Sequence, residues 1–313
     1  MSKIPFFKKF SIPNLSLDFI HKKPKRVIGL DIGTHSSKVV ELEYTEGKAV
    51  LKTYGELLSA QYLKEKEGIG GGFLRFVDTD IVELIKDLLR ESNVSTKHAI
   101  VSLPASSSFV TNITLPKVDP SEIEQAIPYE ARKYIPIPIS EVILDWDIIE
   151  KIDDRQTVEV VIVAVPYEVI EKFKRVAELA NIIPVALEVE SFSLVRSLAG
   201  HDPTPLAITN IGFQESTLVI ADRSHLHAAH HFTRGSEELT RTLERGLGIS
   251  RERAESVKQE VGLSERIEER EITSLITPLL ESLFLEIERF ISIYNRKAER
   301  KVQKITLTGG VQT

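Results

Sequence analysis

The sequence has no cysteine, one methionine and one tryptophan among its 313 residues. Without cysteine there is no disulfide framework and no cysteine-based zinc site. That composition suits a reducing compartment. No run approaches the roughly 18 apolar residues that a spanning helix needs. The N-terminus lacks the apolar region and cleavage site of a signal peptide. No Ser/His/Asp arrangement, no HExxH and no stripe of basic and aromatic residues is present, so the sequence carries no hydrolase, zinc-protease or nucleic-acid pattern of those kinds.

Charge is unevenly spread. The net charge is −6, yet residues 1–26 carry Lys3, Lys8, Lys9, Lys22, Lys23, Lys25 and Arg26 against Asp18 alone, which is +6 and leaves −12 for the rest. An acidic body argues against nucleic acid as a partner. The leader also holds Phe6, Phe7, Phe10 and Phe19. Such a segment can touch an anionic membrane surface. Its proline and lysine content reads as a solvated, disordered tail.

The length suffices for a sizeable core and suggests two domains. The organising stretch is Val27 to Leu42, VIGLDIGTHSSKVVEL. A short apolar strand reaches Asp31. Gly33 follows, then Thr34, Ser36, Ser37 and Lys38, and a second strand leaves the turn. Gly33 permits backbone angles that a side chain would forbid. Amide N–H groups and hydroxyls in such a turn suit phosphate oxygens, Lys38 adds a positive charge, and Asp31 is placed to hold Mg²⁺ through water. An ordinary hairpin with a polar turn fits the same residues.

Further strands are expected at Lys38–Tyr44 and Ala49–Leu57, a loop over 64–72, and a helix from Asp80 to Glu91 with Ile81, Leu84, Ile85 and Leu88 on one face. A buried strand, His98–Leu103, stops at Pro104. Residues 105–165 then read as a small α+β insertion: a strand at Phe109–Leu115, a helix from Ser121 to Tyr134 capped with Glu124 and kinked or shortened by Pro128, and two strands joined at Asp153-Asp154. The extended IPIPIS run, Ile135–Ser140, offers either an apolar edge for a partner or packing beneath the insertion's own sheet.

After helix Tyr167–Asn181 and strand Ile182–Leu187, a helix is expected at Val189–Leu198. Strands follow at Leu206–Asn210, Ser216–Ala221 and His225–Phe232, so a strand meander followed by helix occurs twice. Ser250 suits the cap of a helix over Arg251–Gly262. A long helix spans Ile272–Tyr294 with Pro278 in its first turns, and the final strand Lys304–Thr308 runs into Gly309 and Gly310.

Ala207–Ala221, AITNIGFQESTLVIA, mirrors the first turn through Asn210 and Gly212. Two such loops can clamp a nucleotide triphosphate and its metal. Gly309 and Gly310 end a strand where a base or α-phosphate can approach. Glu255 and Lys258, one helical turn apart, share a face suited to ribose or adenine. His225, His227 and His231 are expected on one strand face and His230 on the other; a half-exposed strand accounts for them better than a metal site does.

This ordered set resembles the actin-like ATPase superfamily. Within it the chain is similar to the PilM family of type IV pilus assembly proteins, a relative of FtsA. The stretches LPKVDPSEIEQAIPYEARKYIPIPISEVILDWDII, VESFSLVRSL and RGSEELTRTLERGLGISRERAESVKQEVGL carry the likeness. The resemblance implies an α/β fold of actin-like (ribonuclease H-like) duplicated domains with a small α+β insertion in the first. Residues 27–104 and 166–200 would form subdomain 1A, 105–165 a 1C-like insertion, and 201–313 the second domain, 2A/2B, truncated at its C-terminal end.

The resemblance also implies a cytoplasmic protein peripheral to the inner membrane that binds ATP and Mg²⁺. Its partner would be the N-terminal tail of a PilN-like inner-membrane protein, with other pilus assembly components as further contacts. Membrane association would be indirect, through that partner. Asp31, Gly33, Thr34, Ser36, Ser37, Lys38, Asn210, Gly212, Glu255, Lys258, Gly309 and Gly310 would bind the nucleotide. Glu190 would either position the attacking water or serve only as a helix N-terminal acid. Asn210 stands where relatives carry Asp, so ATP binding with weak or no hydrolysis is expected. The alternatives are an FtsA-like filament protein and a small-molecule kinase or ATPase on the same fold.

Overall fold

The computed structural model describes residues 24–63, 72–116, 120–152, 157–264 and 266–310. The basic leader up to residue 23, loop residues 64–71, the Ser121 side chain of the expected capping box and the Asp153-Asp154 turn lie outside them. The chain forms two compact units, Met1–Ser193 and Leu194–Thr313.

The first unit is built on strands β1 (Arg26–Ile32), β2 (Ser36–Thr45), β3 (Lys48–Leu58), β4 (His98–Leu103) and, later in the chain, β8 (Ile183–Val189). Their order is β3-β2-β1-β4-β8, with β4 parallel to both β1 and β8. Side chains alternate across a strand. Ile28, Leu30 and Ile32 therefore enter the core beside Ala99, Val101 and Leu103, while Asp31 faces the other way. Helices α1 (Asp78–Glu91) and α3 (Tyr167–Leu179) cover that apolar face with Ile81, Leu84, Ile85, Leu88, Val169, Ile170 and Phe173.

Strands β5 (Phe109–Pro116), β6 (Val142–Ile152) and β7 (Thr157–Pro166) form a second sheet in the order β5-β7-β6, joined by helix α2 (Pro120–Ala131). Central β7 explains the unbroken run Val160–Val165. Its Val158, Val160, Ile162 and Ala164 pack with Ile123 and Ile127, whereas Val163 and Val165 join the main core. A strand buried on both faces loses the apolar–polar alternation. The IPIPIS run folds inward: Ile135 is buried, and Ile137 and Ile139 pack against the same cluster. Those isoleucines are core of the insertion and not an open apolar edge. Helix α2 keeps Pro128 within it.

The expected helix after β8 begins one residue later and changes character. Helix α4 (Glu190–Leu194) passes into a π-helical turn, Val195–Ala199, that ends at Gly200 with φ of 54°. The second unit holds β9 (Leu206–Ile211), β10 (Ser216–Asp222), β11 (His225–Phe232) and β12 (Lys304–Gly309) in the order β11-β10-β9-β12. Helices α5 (Ser236–Leu247) and α6 (Arg251–Val261) pack with the first half of α7 (Arg270–Lys297), and the second half of α7 covers the sheet through Leu283 and Ile287. Ser250 caps α6 as expected, its hydroxyl accepting from Arg253 N at 3.3 Å. Because α7 begins at Arg270, it runs through Pro278 well inside its length.

Trp146, the only tryptophan, packs against the insertion's core, so its fluorescence follows that core. Ile162→Ala should lower stability by about 2–4 kcal/mol, the usual cost of emptying a buried aliphatic site. Leu307→Ala, at a side chain 59% exposed, should cost under about 1 kcal/mol. Urea titrations read by fluorescence and circular dichroism test the contrast; equal costs would refute the burial of the β7 face that packs on α2.

Candidate functional site

The first hairpin turns within Gly33-Thr34-His35, since β2 already begins at Ser36. A Cβ on Gly33 would lie 2.5 Å from the carbonyl oxygen of Ser36, so a side chain there is excluded by the turn itself. The ladder pairs Asp31 with Lys38 and Lys38 with Glu56 on β3. Paired residues share a face, which sets a row Glu56–Lys38–Asp31 at one end of the sheet. Lys38 is half-exposed, donates to Ser36 Oγ at 2.7 Å and lies 3.3 Å from Glu56 Oε1. The Ser36 hydroxyl and Lys38 hold the Glu56 carboxyl below its usual range against a smaller effect of burial.

Asp31 has an exposed surface, yet crowding by neighbouring protein raises its carboxyl pKa; Lys38 and a hydrogen bond from Ser102 pull the other way. The exposed surface is what a ligand meets, and the crowding is what a cation would relieve. Ser102 in turn pairs with Glu188 on β8, so the polar row continues across β4 and β8. Glu190 starts α4 just beyond.

Ser37 departs from its expected place among the turn's ligands. It is a ladder residue on the opposite face, fully buried, with its hydroxyl 2.9 Å from that of Ser59. Its contribution is to anchor the end of β3 beneath the hairpin. Ser59 adds a backbone hydrogen bond to His35 O at 2.8 Å.

The second hairpin repeats this geometry residue for residue. Asn210 pairs with Thr217 as Asp31 does with Lys38, and Ile211 pairs with Ser216 as Ile32 does with Ser37. A Cβ on Gly212 would lie 2.6 Å from Glu215 O. Ser216 is buried and donates to Arg234 O at 2.7 Å, tying down the exit of β11 as Ser37 does for β3. Here the hairpin also caps a helix: the amides of Ser236 and Glu237 donate to Gly212 O and Phe213 O. Gly235 is required at that join, because a Cβ would lie 2.3 Å from Phe213 O.

Gly309 closes β12 against Ile211, with φ of 125° and no room for a Cβ, which would fall 2.1 Å from Ile211 O. The fold thus brings Asn210, Gly212, Gly309 and Gly310 to one end of the second sheet. Glu255 and Lys258 do share a helix face, but they are drawn into the packing of α5 on α6. Lys258 Nζ is buried and donates to Glu255 Oε2 at 2.7 Å and Thr240 Oγ1 at 2.9 Å, while Thr240 Oγ1 donates to Glu255 Oε2 at 2.6 Å.

The histidine run is rearranged by a β-bulge. Asp222 pairs with His225 and Ala221 with Leu226, but Ile220 pairs with Ala228, which leaves His227 as the extra residue. The extra residue inverts the alternation, so His225 and His231 lie on opposite faces, contrary to the sequence expectation. Among the described residues no group of three or more His, Cys, Asp or Glu side chains is arranged to hold a metal. Sequence reading missed Glu56, Ser59 and Ser102, and placed Gly235 only in a turn before a helix. Only Gly235 carried a local signal, as a glycine directly before a helix.

A family model described as type IV pilus assembly protein PilM matches residues 29–313. The structure is similar to a chain of the solved PilM-PilN type IV pilus biogenesis complex, with a TM-score of 0.76, 24% identity, and coverage of 93% of this chain and 82% of that one. It is also similar to the ethanolamine utilization protein EutJ from Carboxydothermus hydrogenoformans, with a TM-score of 0.55, 14% identity, and coverage of 93% and 78%. At these identities the likenesses speak for the fold, which is the mixed α/β fold of actin-like proteins.

The Glu255 site yields a pH prediction. Burial alone raises its pKa, but hydrogen bonds from Lys258 and Thr240 outweigh burial and leave the carboxyl below its usual range. A depressed pKa gives stability that is complete above the unfolded carboxylate value, about 4.3, and is lost as pH falls through the folded value. Glu255→Gln should therefore cost about 2 kcal/mol near neutrality, and the difference from wild type should shrink below about pH 4. Paired urea titrations across that range check it; a difference that stays constant would remove the ionised pair as its cause.

Proposed function

The chain belongs to the PilM family of type IV pilus assembly proteins, and on that premise we propose that it is a nucleotide-binding scaffold that holds the tail of a membrane partner. The observation that carries the nucleotide half is the pair of equivalent glycine hairpins, each closed by a backbone approach that only glycine permits. Lys38 and Ser36 would meet the phosphates of ATP at the first hairpin, with Thr34 in its turn. Asn210, Gly212, Gly309 and Gly310 would offer phosphate contacts of their own at the second hairpin. Glu255 and Lys258 would border the sugar and base as a preformed pair.

Lys38 stands between Asp31 and Glu56, so the row carries more negative than positive charge. A triphosphate alone would be repelled there, and Mg²⁺ bound through water at Asp31 would supply the missing positive charge. Asn210 orients a water but brings no charge to the second hairpin. With Glu190 as the one acid proposed to position water, hydrolysis is slow or absent. Nucleotide occupancy then serves as a signal and not as an energy source.

The partner half rests on the family and on the likeness to a chain of the solved PilM-PilN complex. By extension this chain grips the N-terminal tail of a PilN-like inner-membrane protein near the insertion, where Tyr129 and Tyr134 are exposed, and meets other pilus assembly components. Among the described residues no helix is long and apolar enough to cross a membrane. The scaffold would sit at the cytoplasmic side of the inner membrane, held there by its partner.

Isothermal titration with ATP and Mg²⁺ should show saturable binding that weakens about tenfold or more in Lys38→Ala, the loss of one charge-assisted phosphate contact. Binding unchanged by that substitution would sink the nucleotide assignment. Phosphate release should stay far below ordinary enzyme turnover, about 10 s⁻¹. A fluorescent peptide copying a PilN-like tail should bind the full chain with ATP present; no binding by any such tail would defeat the scaffold reading.

A further inference from the structure

The third strand of each sheet gives one titratable residue to its hairpin row. In the first unit this is Glu56, opposite Lys38. In the second it is His231, opposite Thr217, which pairs across β9 with Asn210. The residue on the hairpin shoulder changes as well, from Ser36 to Glu215. Glu215 Oε2 lies 3.7 Å from His231 Nε2. The His231 side chain is 26% exposed, and its Nδ1 is buried without a hydrogen-bond partner. The nucleotide reading above uses neither Glu215 nor His231.

The groups around His231 decide what a proton does there. His230, next along the strand, turns to the opposite face, stacks on Phe290 at 5.0 Å and lies 3.8 Å from Glu286 of α7. Strand β10 offers uncharged Thr217. Arg234, past the strand end, donates to Ser282 of α7. The hairpin contributes Glu215. Burial lowers the His231 pKa, Glu215 opposes that effect and His230 adds to it. Near neutrality the imidazole is therefore uncharged, and the Glu215 carboxylate stands uncompensated beside the hairpin. Below the histidine range the imidazolium cancels that charge.

We propose that Glu215 and His231 form a proton-controlled pair that sets how strongly the second hairpin binds a phosphate-bearing anion. The inference rests on the nucleotide reading and names its regulation. With His231 neutral, Glu215 repels the incoming phosphate. With His231 protonated, the pair is electrically neutral and the repulsion is gone. Phosphate affinity rises as pH falls.

The test is titration of ATP at saturating Mg²⁺ into the full chain and three variants, at a pH below the His231 midpoint read by nuclear magnetic resonance and at about pH 7.5. Wild type should weaken about fivefold at the higher pH, and His230→Gln should keep that slope. His231→Gln should lose it, and Glu215→Gln should bind about threefold more tightly at the higher pH. A slope that persists in His231→Gln overturns the proposal. Absence of any ATP binding would instead remove the nucleotide reading, and the pair then faces a ligand-free test. In nuclear magnetic resonance titration of the free protein, Glu215→Gln should lower the His231 midpoint by about half a pH unit or more. An unmoved midpoint would overturn the pair itself.

Discussion

A chain that reverses within a few residues must press the backbone leaving one strand against the backbone entering the next. At Gly33 and Gly212 this approach leaves 2.5 and 2.6 Å where a Cβ would stand. That steric limit governs much of the polar architecture. Because each turn is closed so tightly, Asp31 and Lys38, and likewise Asn210 and Thr217, are held opposite one another. The polar rows at the sheet ends inherit this register.

The hairpins are supported from beneath in the same way in both units. A serine just after each turn enters the buried face and ties the exit of the third strand, Ser37 to Ser59 and Ser216 to the Arg234 carbonyl. An unmatched buried hydroxyl is costly, so each serine both needs and specifies its partner. The second unit adds Gly235, which lets α5 take its first hydrogen bonds from the hairpin carbonyls. Hairpin and helix there are joined directly by backbone hydrogen bonds. The first unit invests elsewhere: its turn leads to the ion pair of Lys38 with Glu56, and its main core takes Val163 and Val165 from β7, whose other face packs on α2.

The two hairpins share a register but not a chemistry. The first row carries Asp31, Lys38 and Glu56; the second carries Asn210, Thr217 and His231, with Glu215 on the shoulder. Same backbone, different charge: one hairpin is built around a fixed cation and the other around a group that titrates. The second hairpin carries the neutral amide of Asn210 at the ladder position where the first carries the carboxylate of Asp31.

Local sequence alone determined the tight turns, the apolar faces of α1 and α7, the cap at Ser250 and the twice-repeated meander, because glycine sterics, helical spacing and capping act within a few residues. Tertiary structure decided what depends on pairing between distant segments. Ser37 is buried because β2 begins two residues earlier than its apolar pattern suggests, and strand ends are set by partners. The bulge at His227 reverses the expected face of His225, since one extra residue in the strand inverts every side chain beyond it. The isoleucines of IPIPIS turn inward because β7 and α2 leave an apolar space for them. Lys258 is claimed by α5, a helix whose position on α6 no local pattern encodes. Composition and spacing name the groups that can bind an anion; only the assembled sheets determine which of them point the same way.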